Sequence, residues 1–236
     1  VNREQEALMI DLYTWPTPNG WKAHIMLEEC GLEYQVHAID IGRGDQHQPD
    51  FLALSPNNRI PAIVDHDGPG GKPISVFESG AILVYLAEKT GKFYASTLRD
   101  QTQINQWLMW QMGGVGPMLG QNHHFVKYAP EQIPYAQTRY INETKRLYGV
   151  ADKQLGKNAF LAGDDYTIAD IACYGWMSLW EGQKQDISAF PNVERWLTQV
   201  GERPAVQRGM ALLRDRRENF ANVTTAQEQL FGNKPT

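Results

Sequence analysis

A proline standing at the threshold of a short apolar run constrains this chain more than any other feature. In Ser55-Pro56-Asn57-Asn58-Arg59-Ile60-Pro61-Ala62-Ile63-Val64-Asp65, residues Ala62 to Val64 have the size and character of a buried strand. Pro61 has no N–H to give to a ladder, which assigns it to the strand's first position or to an edge. A cis Ile60–Pro61 bond would turn the N–H and C=O of Ile60 outward, free to pair with an extended peptide. After a hairpin rich in Gly and Asp, Ile74 to Phe77 reads as a second strand, ending at Glu78-Ser79 where a helix begins. Ser79 is the expected N-cap, and N–H groups at a helix start bind carboxylates. A peptide-pairing edge beside such a helix end suits a short peptide with a free carboxylate.

The rest of the chain frames this pair. Met9 to Thr14 alternates as a strand and runs into Trp15-Pro16-Thr17-Pro18-Asn19-Gly20, a turn forced by its prolines and Asn-Gly. Ala23, Met26, Leu27 and Cys30 mark a helix that Gly31 stops, and Tyr34 to Ile39 alternates again. Strand, turn, helix and strand imply a parallel pair with a crossover helix. With the two later strands and a helix over Ser79 to Lys89, the order β-α-β…β-β-α resembles a thioredoxin-like domain. From Gly91 to Thr97 the chain reads as a linker, and beyond it helical periodicity takes over to about Arg214. Gly113-Gly114-Val115-Gly116-Pro117 is expected to break or kink one helix, and Pro134 to Leu155 forms another. Thr167-Ile168-Ala169-Asp170 has the form of a capping box. The expected division is therefore 9–92, 98–214 and a tail over 215–236.

Composition excludes several classes. A net charge of -5 with scattered basic residues favours no nucleic-acid partner. No apolar run reaches the ~20 residues that span a bilayer, and the opening Val1-Asn2-Arg3-Glu4-Gln5-Glu6 has no signal-peptide character. The two cysteines, Cys30 and Cys173, form no C-x-x-C pair and lie on apolar helix faces; such usage fits a reducing compartment and a cytoplasmic protein. The Gly-rich stretch at 113–117 lacks the lysine and the preceding strand of a phosphate loop. His123 and His124 are adjacent and point ~100° apart on a helix, and His24, His37, His47 and His66 show no paired spacing, so no metal site is expected.

The pair Asn58-Arg59-Ile60-Pro61-Ala62-Ile63 and Glu78-Ser79-Gly80-Ala81-Ile82 resembles the glutathione site of the glutathione transferases. Thr17-Pro18-Asn19-Gly20, Gly42-Arg43-Gly44-Asp45-Gln46 and the run from Gly113 to Phe125 narrow the likeness. They are similar to bacterial nu-class glutathione transferases of the disulfide-bond oxidoreductase type, and so to the globular domain of the yeast nitrogen-regulation prion protein. The resemblance covers about residues 9 to 214. It implies a thioredoxin-like α/β N-terminal domain and an all-α C-terminal domain, assembled as a homodimer. It also implies glutathione as co-substrate, without a metal, held by Thr17, Asn19, Gln46, Ile60, Pro61, Glu78 and Ser79. Arg139 matches a further position reaching that site; an ordinary exposed helical arginine is the alternative. Strong disulfide reductase activity, using bound glutathione thiols and no protein cysteine, and weak conjugation follow from the likeness. Conjugation of electrophiles as the main activity, or a non-catalytic glutathione-binding regulatory module, are the alternatives.

Thr17 and Asn19 occupy the turn where this fold places its thiol activator, and both offer hydrogen-bond donors to a thiolate. Tyr13 is the rival, although it falls inside the strand pattern. Trp15 and Trp21 flank the turn and are expected to narrow its mouth.

Overall fold

The computed structural model describes residues 9–218, so the N-terminal segment and the tail after Glu218 lie outside the described residues. Four strands form one sheet in the order β2-β1-β3-β4: β1 (Ile10–Thr14), β2 (Tyr34–Ala38), β3 (Ala62–Asp65) and β4 (Ile74–Phe77). β1 runs parallel to β2 and antiparallel to β3, with Leu12 opposite Ile63, and β3 is antiparallel to β4. The parallel pair is bridged by helix α1 (Pro18–Cys30), as a crossover connection requires. In β1 the buried residues Ile10, Leu12 and Thr14 alternate with the half-buried Asp11 and Tyr13.

α1 is fixed at both ends by sequence. Thr17 caps its start, Pro18 supplies the preset first helical position, and Gly31 closes it at φ 69°. Gly31 donates to Glu28 O and Leu32 N to Leu27 O, so the last carbonyls are satisfied. Every residue of α1 from Gly20 to Leu27 is buried, including Lys22 and His24. A six-residue helix α2 (Pro49–Leu54) precedes β3, and α3 (Ser79–Thr90) follows β4. Leu12, Ile25, Leu27, Ile63, Ile82 and Leu83 are fully buried, and each contributes about 1.5–3 kcal/mol relative to exposure.

The chain divides into two compact units: one reaches Leu86 and resumes from Gln207, and the other runs from Ala87 to Val206. The second unit is helical. α4 (Leu98–Trp110) does not break at the Gly-rich stretch. It widens into a π turn over Gln111–Val115, where Gly116 N–H donates to Gln111 O, and continues as α5 (Gly116–His123). Pro117 lacks an N–H, and the wider turn absorbs that loss without a break. A second π turn spans His124–Tyr128, before α6 (Pro134–Leu155), α7 (Ile168–Met177) and α8 (Pro191–Gly201); α9 (Pro204–Ala211) contains the boundary at Gln207, and a short α10 (Arg214–Glu218) is part of the first unit.

The capping box opens α7 as its sequence predicts, and it does more. The Asp170 carboxylate accepts from Thr167 N (3.0 Å), Thr167 Oγ1 (3.2 Å), Leu161 N (3.0 Å) and Trp196 Nε1 (2.9 Å). It therefore ties three separate segments of this unit together. Burial pushes its carboxyl up to about 6 against the lowering effect of those bonds. Among the described residues no helix is long and apolar enough to cross a membrane.

Candidate functional site

The turn after β1 is held by local hydrogen bonds around Thr17 and by one close backbone approach at Gly20. Thr17 is extended (φ -117°, ψ 164°), and its Oγ1 accepts from Gly20 N at 3.3 Å while its carbonyl accepts from Trp21 N. An oxygen already engaged as acceptor leaves the hydroxyl proton to be directed elsewhere. Gly20 has no substitute: a Cβ there would lie 2.0 Å from the Trp15 carbonyl oxygen and 2.8 Å from Thr14 Oγ1. Underneath, Thr14 Oγ1 lies 2.8 Å from His24 Nε2, and His24 Nδ1 lies 3.2 Å from Gly209 O. Burial lowers His24 to about 4, so the ring is neutral at neutral pH. Thr17 and Asn19 are half-buried, consistent with groups that meet a ligand. Trp15 and Trp21 are instead buried, so they belong to the packing beneath the turn and do not narrow its mouth.

Tyr13 points to the other face of β1. Its ring stacks on His37 with centroids 4.6 Å apart. Burial, and then the Asp11 charge, raise its hydroxyl above the ordinary value. A tyrosine that activates a thiol needs the opposite shift. Asp11 accepts from His37 Nε2 (2.9 Å) and His66 Nε2 (2.8 Å), a cluster that no sequence spacing announced. Even so, no group of three or more His, Cys, Asp or Glu side chains among the described residues is placed to hold a metal.

The Ile60–Pro61 bond is cis, as expected. Ser55 Oγ donates to Arg59 O at 2.8 Å and pins the loop ahead of it. Ile60 makes no backbone hydrogen bond to the protein among the described residues. Ala62 then enters the sheet opposite Phe77. One residue past Phe77, Glu78 sits in the left-handed region at φ 69°. A non-glycine residue there costs about 1–3 kcal/mol, and such positions persist where the surroundings over-determine them. Asn57 Nδ2 donates to Glu78 Oε1 at 3.0 Å, and the Glu78 carbonyl accepts the first helical bond, from Ile82 N. Glu78 thus has the place of the N-cap and Ser79 is the first helical residue of α3, so the helix begins one position earlier than a Ser79 cap would have it. The difference arises because the left-handed Glu78, and not a side-chain cap, sets the entry angle of the chain.

Gln46 is only 2 % exposed, in a single turn of 3-10 helix after the left-handed Gly44. Its Nε2 donates to Ile41 O at 3.3 Å and lies 3.3 Å from His47 Nε2, while its buried Oε1 has no partner among the described residues. A buried acceptor without a donor is unfavourable by about 1–3 kcal/mol, which a ligand N–H would relieve. Asn58 Nδ2 lies 3.3 Å from His47 Nδ1, so the Gln46 turn and the loop before Pro61 are linked. In sequence these parts are far apart; here polar contacts connect them. Arg139 belongs to the other unit, on α6, where it is exposed and 3.7 Å from Glu143. Lys22, His47 and Asn57 take part in this arrangement without having been singled out. Only Lys22 carried a signal, as a charge inside the apolar pattern of α1.

A thioredoxin-like sheet with a cis-proline edge, followed by a helical unit, defines a class. Residues 9–88 match the glutathione S-transferase N-terminal domain and residues 123–204 the glutathione S-transferase C-terminal domain. The chain belongs to the glutathione S-transferase family. Within it, the chain is 53% identical over 207 residues to the disulfide-bond oxidoreductase YfcG of Escherichia coli, covering 87% of this chain and 95% of that protein. A glutathione transferase from Burkholderia graminis, solved with two glutathione molecules bound per subunit, is 45% identical with a TM-score of 0.82, covering 86% of this chain and 88% of that one. A glutathione transferase from Pseudomonas putida, solved with one glutathione disulfide per subunit, is also 45% identical with a TM-score of 0.82, over 86% and 91% of the two chains.

Proposed function

We propose that this protein is a glutathione-dependent disulfide-bond reductase that uses bound glutathione thiols and no cysteine of its own. The observation that carries this reading is the burial of both cysteines, Cys173 at 0% and Cys30 at 6% exposure, in a chain so close to a disulfide-bond oxidoreductase. One glutathione thiolate attacks a sulfur of the substrate disulfide, forming a mixed disulfide and expelling the first substrate thiolate, which takes a proton. A second glutathione thiolate attacks the glutathione sulfur of that mixed disulfide. Glutathione disulfide forms and the second substrate thiolate leaves. Thr17 and Asn19 act by donating hydrogen bonds to the attacking thiolate. Each unit of thiol pKa depression needs ~1.4 kcal/mol, within reach of one or two donors and the positive end of α1.

The binding roles follow from chemistry. Ile60 pairs its backbone with the cysteinyl residue of glutathione, and Pro61 holds that edge open. The Glu78 carboxylate accepts from the γ-glutamyl ammonium, and the Ser79 hydroxyl donates to its carboxylate. Gln46 offers its unsatisfied Oε1 to a peptide N–H, and Arg139 supplies charge for a carboxylate. In this reading residues 9–92 are the glutathione-binding domain and 98–214 the helical domain. The protein works as a homodimer in the cytoplasm, where glutathione is the abundant reductant. A side-by-side assay of glutathione-dependent disulfide reduction and aryl-halide conjugation tests the assignment. Reduction is expected to dominate; dominant conjugation, or neither activity with glutathione still bound, contradicts it.

A further inference from the structure

Lys22 is 1% exposed, on a helix whose other buried residues are mostly apolar. Its Nζ donates to Ser79 Oγ at 3.3 Å, across fifty-seven residues of sequence. An ammonium carries three donors and no acceptor, so in this bond the serine oxygen is necessarily the acceptor. The Ser79 hydroxyl proton is therefore turned away from Lys22. Ser79 itself is 7% exposed and opens α3, beside the left-handed Glu78. Burying an ammonium is unfavourable, and its charge is screened there far less by water and salt than on the surface.

We infer that Lys22 is a positioning residue for the anionic end of the ligand, and so a determinant of specificity. It aims the Ser79 hydroxyl as a donor and places a positive charge one side chain behind the carboxylate that Ser79 receives. The inference rests on the reading of Glu78 and Ser79 as the γ-glutamyl clamp. Its consequence is selective: ligands with that α-carboxylate gain from Lys22, and ligands without it do not. Polarisation by the ammonium also makes the serine a stronger donor than an isolated hydroxyl.

Calorimetry with glutathione and with its γ-aminobutyryl analogue, which lacks the γ-glutamyl carboxylate, separates the possibilities. Lys22→Met keeps the length and apolar stem of the side chain. It is expected to weaken glutathione binding about 10–100-fold, the loss typical of a charge-assisted contact, while leaving the analogue's affinity unchanged. Lys22→Arg is expected to keep most of the discrimination. Lys22→Met combined with Ser79→Ala is expected to lose little more than either change alone. Equal losses for both ligands make Lys22 merely structural and overturn the inference, as does no loss for either. If Ser79→Ala leaves glutathione affinity intact, the clamp reading has failed instead. Should Lys22→Met not fold, the Lys22 Cε resonance of the wild-type protein, assigned by its disappearance in Lys22→Arg, serves as the readout. It is expected to move on adding glutathione and to stay fixed with the analogue; equal movement or none overturns the inference.

Discussion

His24 Nε2 lies 2.8 Å from the Thr14 hydroxyl, at the end of the strand that leads into the Thr17 turn. The imidazole is fully buried, and burial lowers it from 6.5 to about 4. The unfolded chain therefore binds a proton that the folded chain refuses over that range. This contribution to stability is complete above about pH 6.5 and declines as pH falls toward 4. By linkage it amounts to about 3 kcal/mol. Asp170 opposes it, since burial raises its carboxyl from 3.8 to about 6 and stability is lost as pH rises between those values. The wild-type curve alone is thus not diagnostic. The difference in unfolding free energy between wild type and His24→Gln is expected to shift by about 3 kcal/mol between pH 7 and pH 4. A difference independent of pH contradicts a buried neutral imidazole.

Gln46 combines burial with an acceptor that the protein leaves unmatched. Gln46→Met removes that acceptor at similar volume. Thermal stability is expected to change by less than about 1 kcal/mol, because the weak bond to Ile41 is lost along with the burial penalty. Glutathione affinity is expected to fall about tenfold by calorimetry, through loss of one hydrogen bond of about 1.4 kcal/mol. Unchanged affinity removes Gln46 from the site.

Asp170 holds four donors with one carboxylate. Asp170→Asn turns an amide donor toward N–H groups that need an acceptor. A loss of about 3 kcal/mol or more is expected from denaturant unfolding. A loss under 1 kcal/mol means that the box is dispensable.

The turn yields a kinetic prediction. Asn19→Ala is expected to reduce turnover about 10–100-fold, the consequence of losing ~1.5–3 kcal/mol of thiolate stabilisation. Thr17→Ala is expected in the same range or slightly below. Tyr13→Phe should leave turnover nearly unchanged, since that hydroxyl lies on the opposite face of β1 and its pKa is raised. Loss of activity in Tyr13→Phe with Asn19→Ala intact assigns the chemistry to a tyrosine-type transferase.

The strands and most helices were readable because each carried its own local signal. Alternation marked Ile10–Thr14, and Gly31 and the Thr167 box marked helix ends. Local signals also misled in places. Gly113 to Pro117 reads as a breaker, yet the chain answers with a widened turn that absorbs the missing N–H of Pro117; a Cβ at Gly116 would crowd the Gln111 side chain at 2.9 Å, and one at Gly120 would press on Trp176 at 3.3 Å. Helix α2 has only six residues, too few to show a period. Ser79 has an N-cap's composition, but only the backbone angle of Glu78 reveals where the helix starts. Lys22 interrupts the apolar pattern of α1, but Ser79 lies on another helix, so the local pattern marks the lysine without showing what it meets.

Whether the protein lends no sulfur to the reaction is settled most directly by glutathione-dependent disulfide reduction in Cys30→Ala/Cys173→Ala beside the wild type. Both thiols are buried, so the double variant should cost some packing stability, checked separately by thermal unfolding. Reductase turnover close to that of the wild type is expected from the folded variant. A folded variant without activity makes the protein itself the thiol oxidoreductase and contradicts the mechanism proposed above.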